Sequence, residues 1–168
     1  MTSALAHLKE IYDHLKWADE QVLAAAETVS DEGFRREQNI SLGSIHKLLV
    51  HAVSAQHLWL ARWQGETVLK ALEPADYPTP ADIRRMWDDV HSRIAAFLAK
   101  QTDASLEAAI RFRRGEREYV MPLRHLIAHT FDHGTYHRGQ LNSMITLAGG
   151  KPVEAGFLAF QRMRTGQP

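Results

Sequence analysis

Apolar residues recur at intervals of three and four along four long segments of this chain, and that spacing is what most limits the fold. Such spacing places apolar side chains on one face of an α-helix, which must then be buried against other elements. In the first segment, residues 4–29, the apolar positions are Leu5, Leu8, Ile11, Tyr12, Leu15, Ala18, Val22, Ala25 and Val29. The chain is therefore predicted to be all-α.

Residues typical of helix ends delimit the other three long helices. The second is predicted to begin after Gly43 with Ser44 as its N-cap and to end at Gly65; a linker is expected over residues 66–79. The third is predicted to begin at Thr79 and Pro80 and to end near Gln101, and the fourth to run from Pro122 to about Ala148, before two glycines.

Two weaker patterns complete the predicted architecture. Alternating apolar residues on both sides of Gly115 predict a small β-hairpin between helices three and four. A short helical turn is expected around Phe34 and another at residues 157–160. With 168 residues the chain is predicted to form one domain, 1–168, built as a four-helix bundle. The connections on either side of helix three are long, so a simple up-down-up-down order is not assured.

Composition excludes several classes of function. There is no cysteine, so disulfides, thiolate metal sites and a cysteine nucleophile are absent from the chain. Basic and acidic residues number 20 each, and the one basic cluster, residues 111–117, is read as a solvated turn; nucleic acid is not an expected partner. The N-terminal residues do not resemble a signal peptide and no apolar run is long enough for a membrane span, so the expected location is the cytoplasm.

Histidine is the unusual residue type, with ten copies. His125, His129, His133 and His137 recur every four residues in the predicted fourth helix. Each such step turns about 40° around a helix, so the four side chains point in different directions. His137 falls close to the apolar centre of the helix, His133 slightly to one side, His129 at the margin and His125 outside. Two imidazoles therefore project inward, one turn apart.

Two inward histidines four residues apart can bind one cation through their ring nitrogens. A single inward histidine is more often a hydrogen-bonded core residue, but here the pair occupies leucine-like positions, and burying both without a partner is costly. A catalytic metal site needs a third protein ligand. Helix two offers His46, His51 and His57, and periodicity does not choose among them.

Four stretches of the chain resemble the DinB-like proteins, a family named for a damage-inducible bacterial gene. Residues 129–140 (HTFDHGTYHRGQ) closely resemble the fourth helix of the family, and residues 133–140 are the most specific part of the likeness. Residues 41–51 (SLGSIHKLLVH), followed by residues 58–63 (LWLARW), are similar to the second helix of the family, and residues 14–19 (HLKWAD) are similar to its first. The likeness spans nearly the whole chain.

The resemblance implies a four-helix bundle, often a homodimer, with one divalent transition metal held by three histidines. Carried over by position, the ligands are His51, His133 and His137, and the metal is expected to be zinc or nickel. The candidate outer-shell partners are His129, Gln56, Arg138 and Gln140. Gln56 stands where members commonly carry a glutamate. Arg138 lies away from the apolar face and has a helix interface as its alternative role.

The family resemblance also suggests what the metal does. One hypothesis is transfer of a low-molecular-weight thiol to an electrophilic small molecule; with no cysteine in the chain, the thiol must arrive as a cosubstrate. Metal-activated water for hydrolysis is a variant. The alternative is a non-catalytic metal- or ligand-binding protein of the stress response. No catalytic residue is identified. His7 and His91 are expected on the surface, and His14 in the core or lining a cavity.

Overall fold

The computed structural model describes residues 3–66 and 70–167, so residues 67–69 of the predicted linker lie outside the described residues. The described elements are α1 (Ala4–Glu27), α2 (Asp31–Arg35), α3 (Ile45–Trp63), α4 (Pro80–Ala99), β1 (Ala109–Arg114), β2 (Arg117–Pro122), α5 (Leu123–Leu147) and α6 (Phe157–Thr165). Short 3₁₀ turns lie at Pro74–Asp76 and Ser105–Glu107. The all-α prediction with one small hairpin is confirmed.

Polar caps set the beginnings of α3 and α4. The Ser44 hydroxyl accepts from the backbone N–H of Lys47 at the start of α3. Thr79 and Asp82 form a reciprocal capping box at the start of α4, with Pro80 in the first turn. Each cap satisfies amide groups that have no partner within the helix, so the predicted starts are confirmed. The C-terminal helix is longer than the single turn expected, and it ends at Gly166 with a φ of 64°.

The four long helices form a ring whose order differs from their order in the sequence. α1 packs against α4 and α5, and α3 packs against the same two helices. The consecutive helices α1 and α3 therefore lie diagonally across the bundle, which the long connections permit. This arrangement places α3 directly against α5, the two helices that carry the candidate metal ligands.

A glycine allows α1 and α5 to approach closely. A Cβ atom at position 134 would lie 2.7 Å from Leu15 Cδ1 and 2.9 Å from Arg138 Nη1. Real Cβ atoms essentially never make contacts that short, so a larger residue here would have to displace the ends of the Leu15 and Arg138 side chains. Buried leucine, isoleucine and valine side chains from all four long helices fill the core between them.

The hairpin closes one side of the bundle. Its strands pair antiparallel with Phe112 opposite Tyr119, and these two rings stack at 5.4 Å between centroids. Phe112 also meets Trp59 of α3 edge-on, again at 5.4 Å. The hairpin thus stands as a wall beside α3 and α5. Among the described helices, none is both long and apolar enough to cross a membrane.

Candidate metal centre

The structure brings His51, His133 and His137 together. One ring nitrogen from each of them lies within 4.8 Å of the other two. Nε2 of His133 is 3.2 Å from Nε2 of His137, and the His51 ring lies 4.7 Å from the His137 ring between centroids. His133 and His137 are one turn apart on α5, and His51 reaches them from α3 because these two helices pack together.

The other two histidines of α3 have partners elsewhere. His46 Nε2 lies 2.8 Å from the carbonyl oxygen of Tyr77, and His57 Nδ1 lies 3.3 Å from Arg93 Nη1. Periodicity left the choice among the three open, and the rotation of α3 against α5 decides it. Of the three, His51 is the one that faces the α5 pair.

All three clustered histidines favour the neutral form. Burial lowers the pKa of His133 to about 4, with further lowering by His137 and His51. Burial also lowers the pKa of His51, and the neighbouring His137 adds to this. The pKa of His137 is lowered by burial and partly restored by its hydrogen bond to Gln140. Neutral imidazole is the form that binds a metal ion, so the cluster needs no deprotonation near pH 7.

Gln140 fixes the orientation of one candidate ligand. Its Oε1 lies 2.7 Å from His137 Nδ1 and also accepts a hydrogen bond from the Ser41 hydroxyl at 3.0 Å. An amide oxygen can only accept, so Nδ1 of His137 carries the proton and Nε2 keeps its lone pair. That lone pair points into the histidine cluster. Ser41 adopts a left-handed backbone conformation with φ 51°, uncommon for a residue other than glycine.

The donor set fits a divalent transition metal. Nitrogens bound at about 2.0–2.1 Å in a tetrahedral arrangement lie roughly 3.3 Å apart. The 3.2 Å between the Nε2 atoms of His133 and His137 already matches that separation. Because the widest nitrogen pair lies within 4.8 Å, binding one ion requires a further approach of at most roughly 1.5 Å, a distance that rotation about side-chain bonds can cover. Three imidazoles suit zinc, nickel, copper or iron, so the ligands do not identify the metal.

His129 lies next to the cluster but does not join it. Its ring centroid is 5.8 Å from that of His133, and it meets Trp59 edge-on at 4.8 Å. Burial lowers the pKa of His129, and the positive charge of Arg114 lowers it further. His129 is therefore a neutral, solvent-accessible imidazole beside the cluster.

Gln56 and Arg138, two candidate outer-shell residues, form their hydrogen bonds elsewhere. Gln56 Nε2 donates to Asp19 Oδ2 at 2.7 Å, and Arg138 Nη1 donates to Asp19 Oδ1 at 2.9 Å. His91 Nε2 lies 3.3 Å from the same carboxylate and is 3% exposed, so its expected surface position is wrong. Gln56, Arg138 and His91 surround Asp19 inside the bundle instead of supporting the clustered histidines. His14 is buried as well, with Nε2 3.0 Å from the carbonyl oxygen of Ala155.

A cavity of about 280 Å³ opens beside the histidine cluster. Its lining is His51, Ser54, Ala55, Leu58, Trp59, Arg62, Ala71, Arg114, His129 and His133. No acidic side chain is among these described lining residues. A second cavity of about 220 Å³, bounded by the hairpin, shares Trp59, Arg114 and His129 with the first. Arg62 was not among the residues predicted from the sequence. The signal for it is its spacing: it lies eleven positions after His51, about three helical turns, and therefore on the same face of α3.

The fold and most of the sequence are similar to proteins already described. The chain is 24% identical over 159 residues to Protein DinB of Bacillus subtilis (strain 168), covering 90% of this chain and 92% of that protein. A DinB-like protein from Bacillus cereus ATCC 10987 superposes with a TM-score of 0.66 at 19% identity, covering 92% of this chain and 99% of that one.

A second solved structure has the same fold. YfiT from Bacillus subtilis, described as a probable metal-dependent hydrolase with an unusual four-helix bundle topology, superposes with a TM-score of 0.64 at 12% identity. The superposition covers 96% of this chain and 89% of that one. The sequence profile of the DinB family matches residues 1–168, from the first residue to the last. The chain therefore belongs to the DinB family.

Proposed function

We propose that this protein is a metal-dependent enzyme acting on a small molecule, with one divalent ion held by His51, His133 and His137. The observation that carries the proposal is the convergence of three neutral ring nitrogens beside an open cavity. Within residues 3–66 and 70–167, no cysteine or carboxylate joins this group as a fourth ligand. Three protein ligands with one open position are typical of catalytic sites, whereas structural sites are closed by four.

Each part of the site has a role in this proposal. A divalent ion at the three histidines supplies Lewis acidity, which lowers the pKa of a water or thiol that binds it. Gln140 holds His137 in the tautomer that presents Nε2. Trp59 and Leu58 give the cavity an apolar wall that displaces water from the substrate. His129, neutral and beside His133, is placed to accept a proton from the nucleophile.

Thiol transfer to an electrophile is the reaction we favour. No acidic side chain is among the described residues that line the cavity, so a carboxylate base is not at hand to deprotonate water. A free thiol has a pKa of about 8.5, far closer to neutral pH than the 15.7 of bulk water, so a thiol would depend less on a base. The chain has no cysteine, so the thiol is a cosubstrate.

Hydrolysis is the second candidate. YfiT, which shares the fold, is described as a probable metal-dependent hydrolase, and this description supports hydrolysis as a candidate here. His129 is the one described side chain of the cavity, outside the three proposed ligands, that is equipped to act as a base toward water. A non-catalytic metal- or ligand-binding role is the third candidate. A fourth, non-exchanging ligand on the ion would favour that role over both reactions.

Metal analysis of protein purified without a histidine tag tests the proposed site. Wild type and His57→Ala are expected to bind one equivalent of zinc or nickel, and His137→Ala to bind neither at stoichiometric level. His57 is a matched control because it is a half-buried histidine of α3 outside the cluster. Failure of the wild type to bind either metal after reconstitution would overturn the proposal. The two reactions are then separated by assaying thiol addition to chlorodinitrobenzene and hydrolysis of nitrophenyl esters.

Homodimer formation stays a prediction from the family resemblance. α6 carries three exposed apolar side chains, Phe157, Leu158 and Met163, the surface type that a second copy of the chain covers in many dimers. Light scattering coupled to size exclusion is expected to give twice the chain mass of 19.0 kDa. A monomeric mass across the accessible concentration range contradicts the prediction.

A further inference from the structure

Among the residues that the structure describes, Arg62 has no anionic partner, and it lines the cavity beside the histidine cluster. Its guanidinium carbon lies 4.6 Å from the centre of the Trp59 ring, which holds the group against the cavity wall. Its Nε atom is buried and makes no hydrogen bond. Burial lowers the pKa of Arg62, and the charge of Arg114 lowers it further. A buried N–H donor left unsatisfied is costly, so such a group points to a ligand that supplies an acceptor.

Arg114 brings a second positive charge to the same cavity. It is the last residue of β1, and it lines both this cavity and the one under the hairpin. Its charge lowers the pKa values of His129 and His133 as well as that of Arg62. Within the described ranges, neither Arg62 nor Arg114 forms an ion pair with an acidic side chain.

Eight other arginines form ion pairs, whereas Arg62 and Arg114 line one cavity together without one among the described residues. Carboxylates of the same element or of an adjacent one form these ion pairs, and the arginines are Arg35, Arg84, Arg85, Arg93, Arg111, Arg124, Arg138 and Arg164. The protein has equal numbers of acidic and basic residues, so a local shortage of carboxylates is a property of the site and not of the composition. Two like charges in one cavity repel each other, and a bound anion relieves that repulsion.

We propose that Arg62 and Arg114 bind an oxyanion group, such as a carboxylate, on the small molecule that reacts at the histidine cluster. This inference rests on the proposed function, because that function places the reacting atom at the histidine cluster. Anion binding by the two arginines does not itself require a metal. Guanidinium groups match carboxylate and phosphate oxygens in geometry and charge. The cavity joins both features, because His51 and His133 lie in the same lining as the two arginines.

Calorimetric titration of the zinc-loaded protein with two matched thiols tests the inference. 3-Mercaptopropionate and 3-mercaptopropan-1-ol share a thiol and a chain length and differ in the terminal carboxylate. At low ionic strength the wild type is expected to bind the carboxylate roughly tenfold more tightly. Arg62→Gln is expected to reduce that ratio to about 1–2, and Arg114→Gln to reduce it by about threefold, since Arg114 is exposed.

Arg113→Gln is the matched control. It removes the same charge from the neighbouring strand position, whose side chain points to the opposite face of the hairpin. Its carboxylate preference is expected to equal that of the wild type. A wild type that binds zinc and both thiols equally well overturns the inference and leaves the proposed function standing. Loss of preference in Arg113→Gln to the same degree as in Arg62→Gln overturns it too, because the effect would then be one of overall charge.

A second measurement does not depend on the metal. In the metal-free protein, inorganic phosphate at constant ionic strength is expected to shift the NMR signal of the Arg62 Nε–H group saturably, and the shift is expected to weaken in Arg114→Gln. If the wild type binds no zinc but shows this shift, the proposed function fails and the anion site remains. If zinc binds and phosphate produces no saturable shift, the inference fails alone.

Discussion

Two polar clusters lie inside this bundle, and they are built in opposite ways. The first, which we call the carboxylate cluster, consists of Asp19 with Gln56, His91 and Arg138 around it. The second, the histidine cluster, consists of His51, His133 and His137. α3 and α5 contribute to both. One cluster has an anion at its centre, whereas the other brings three imidazole rings together with no carboxylate among them.

The carboxylate cluster satisfies its central charge with protein groups alone. Asp19 is 1% exposed, and burial by itself raises its pKa. The hydrogen bond from His91 and the positive charge of Arg138 outweigh burial, so the pKa lies below the usual aspartate range. The anion joins three helices besides its own: Gln56 belongs to α3, His91 to α4 and Arg138 to α5. Asp19 therefore stabilises the packing of these helices against one another.

The histidine cluster lacks a protein group at its centre. Three neutral imidazoles face one another beside a cavity, and a cation is the natural complement to their lone pairs. The comparison teaches that burial of polar residues in a bundle does not by itself indicate a binding site. A buried polar cluster indicates a binding site when its donors, acceptors or charges are not satisfied by other groups of the protein. We therefore expect the carboxylate cluster to control stability and the histidine cluster to control metal binding.

The largest expected effect is on the carboxylate cluster. Asp19→Leu leaves the buried Arg138 without its anion, and we expect the free energy of unfolding to fall by about 3–5 kcal/mol. Urea unfolding in the presence of a chelator measures this without any contribution from metal. The folded fraction of the variant is expected to bind metal with the stoichiometry of the wild type, because Asp19 hydrogen-bonds none of the clustered histidines.

The double variant Asp19→Leu with Arg138→Met is the control for that prediction. It removes both charges, so the cost of a buried unpaired cation disappears, and at least half of the lost stability is expected to return. A double variant as unstable as the sum of the two single variants would show that the pair is not coupled. A loss of less than about 1 kcal/mol in Asp19→Leu would show that water reaches Arg138 easily.

Substitution of two glutamines, one in contact with each cluster, is expected to have effects of intermediate size. Gln140→Met removes the group that fixes the His137 tautomer, and we expect metal affinity to fall by about 10–100-fold with little change in metal-free stability. Gln56→Met removes a donor to Asp19, and we expect a loss of about 1–2 kcal/mol in stability with unchanged metal affinity. Competition with a chromophoric chelator and urea unfolding give the two quantities. Equal effects of both variants on metal affinity would contradict the division between clusters.

The positions of the helices followed from local signals, but their arrangement did not. Caps at Ser44 and Thr79 and the spacing of apolar residues placed α3 and α4 to within about two residues, because these signals act over one or two turns. The diagonal placement of α1 and α3 depends on which faces of distant helices meet. Periodicity within one helix contains no information on its neighbours, so the order of the ring could not be derived.

The same limit applied to the candidate site. Helical periodicity selected His133 and His137, since both belong to one helix. His51 came from the family resemblance, because its direction depends on how α3 rotates against α5. The surface expectation for His91 was an avoidable error: it lies four residues after Trp87 and three before Ile94, on the buried stripe of α4. The sequence could not show which cluster Gln56 and Arg138 belong to, because their shared partner, Asp19, lies on another helix.

The smallest expected effect is the pH dependence of the metal-free protein. The pKa of His133 is about 4 in the folded state, against about 6.5 for an unperturbed histidine. Between these values the unfolded chain binds a proton at this position and the folded chain does not, so stability falls as pH decreases from about 6.5 to about 4. Melting temperatures across this range, measured with a chelator, should fall less steeply in His133→Gln than in the wild type. His7→Gln, at an exposed position on α1, is the control and should follow the wild-type profile. Parallel profiles for all three proteins would mean that His133 is hydrated enough to take up a proton in the folded state. The His133 nitrogen could then bind a proton in the folded state as well as a metal. The two clusters would then differ only in that the carboxylate cluster contains an anion and the histidine cluster does not.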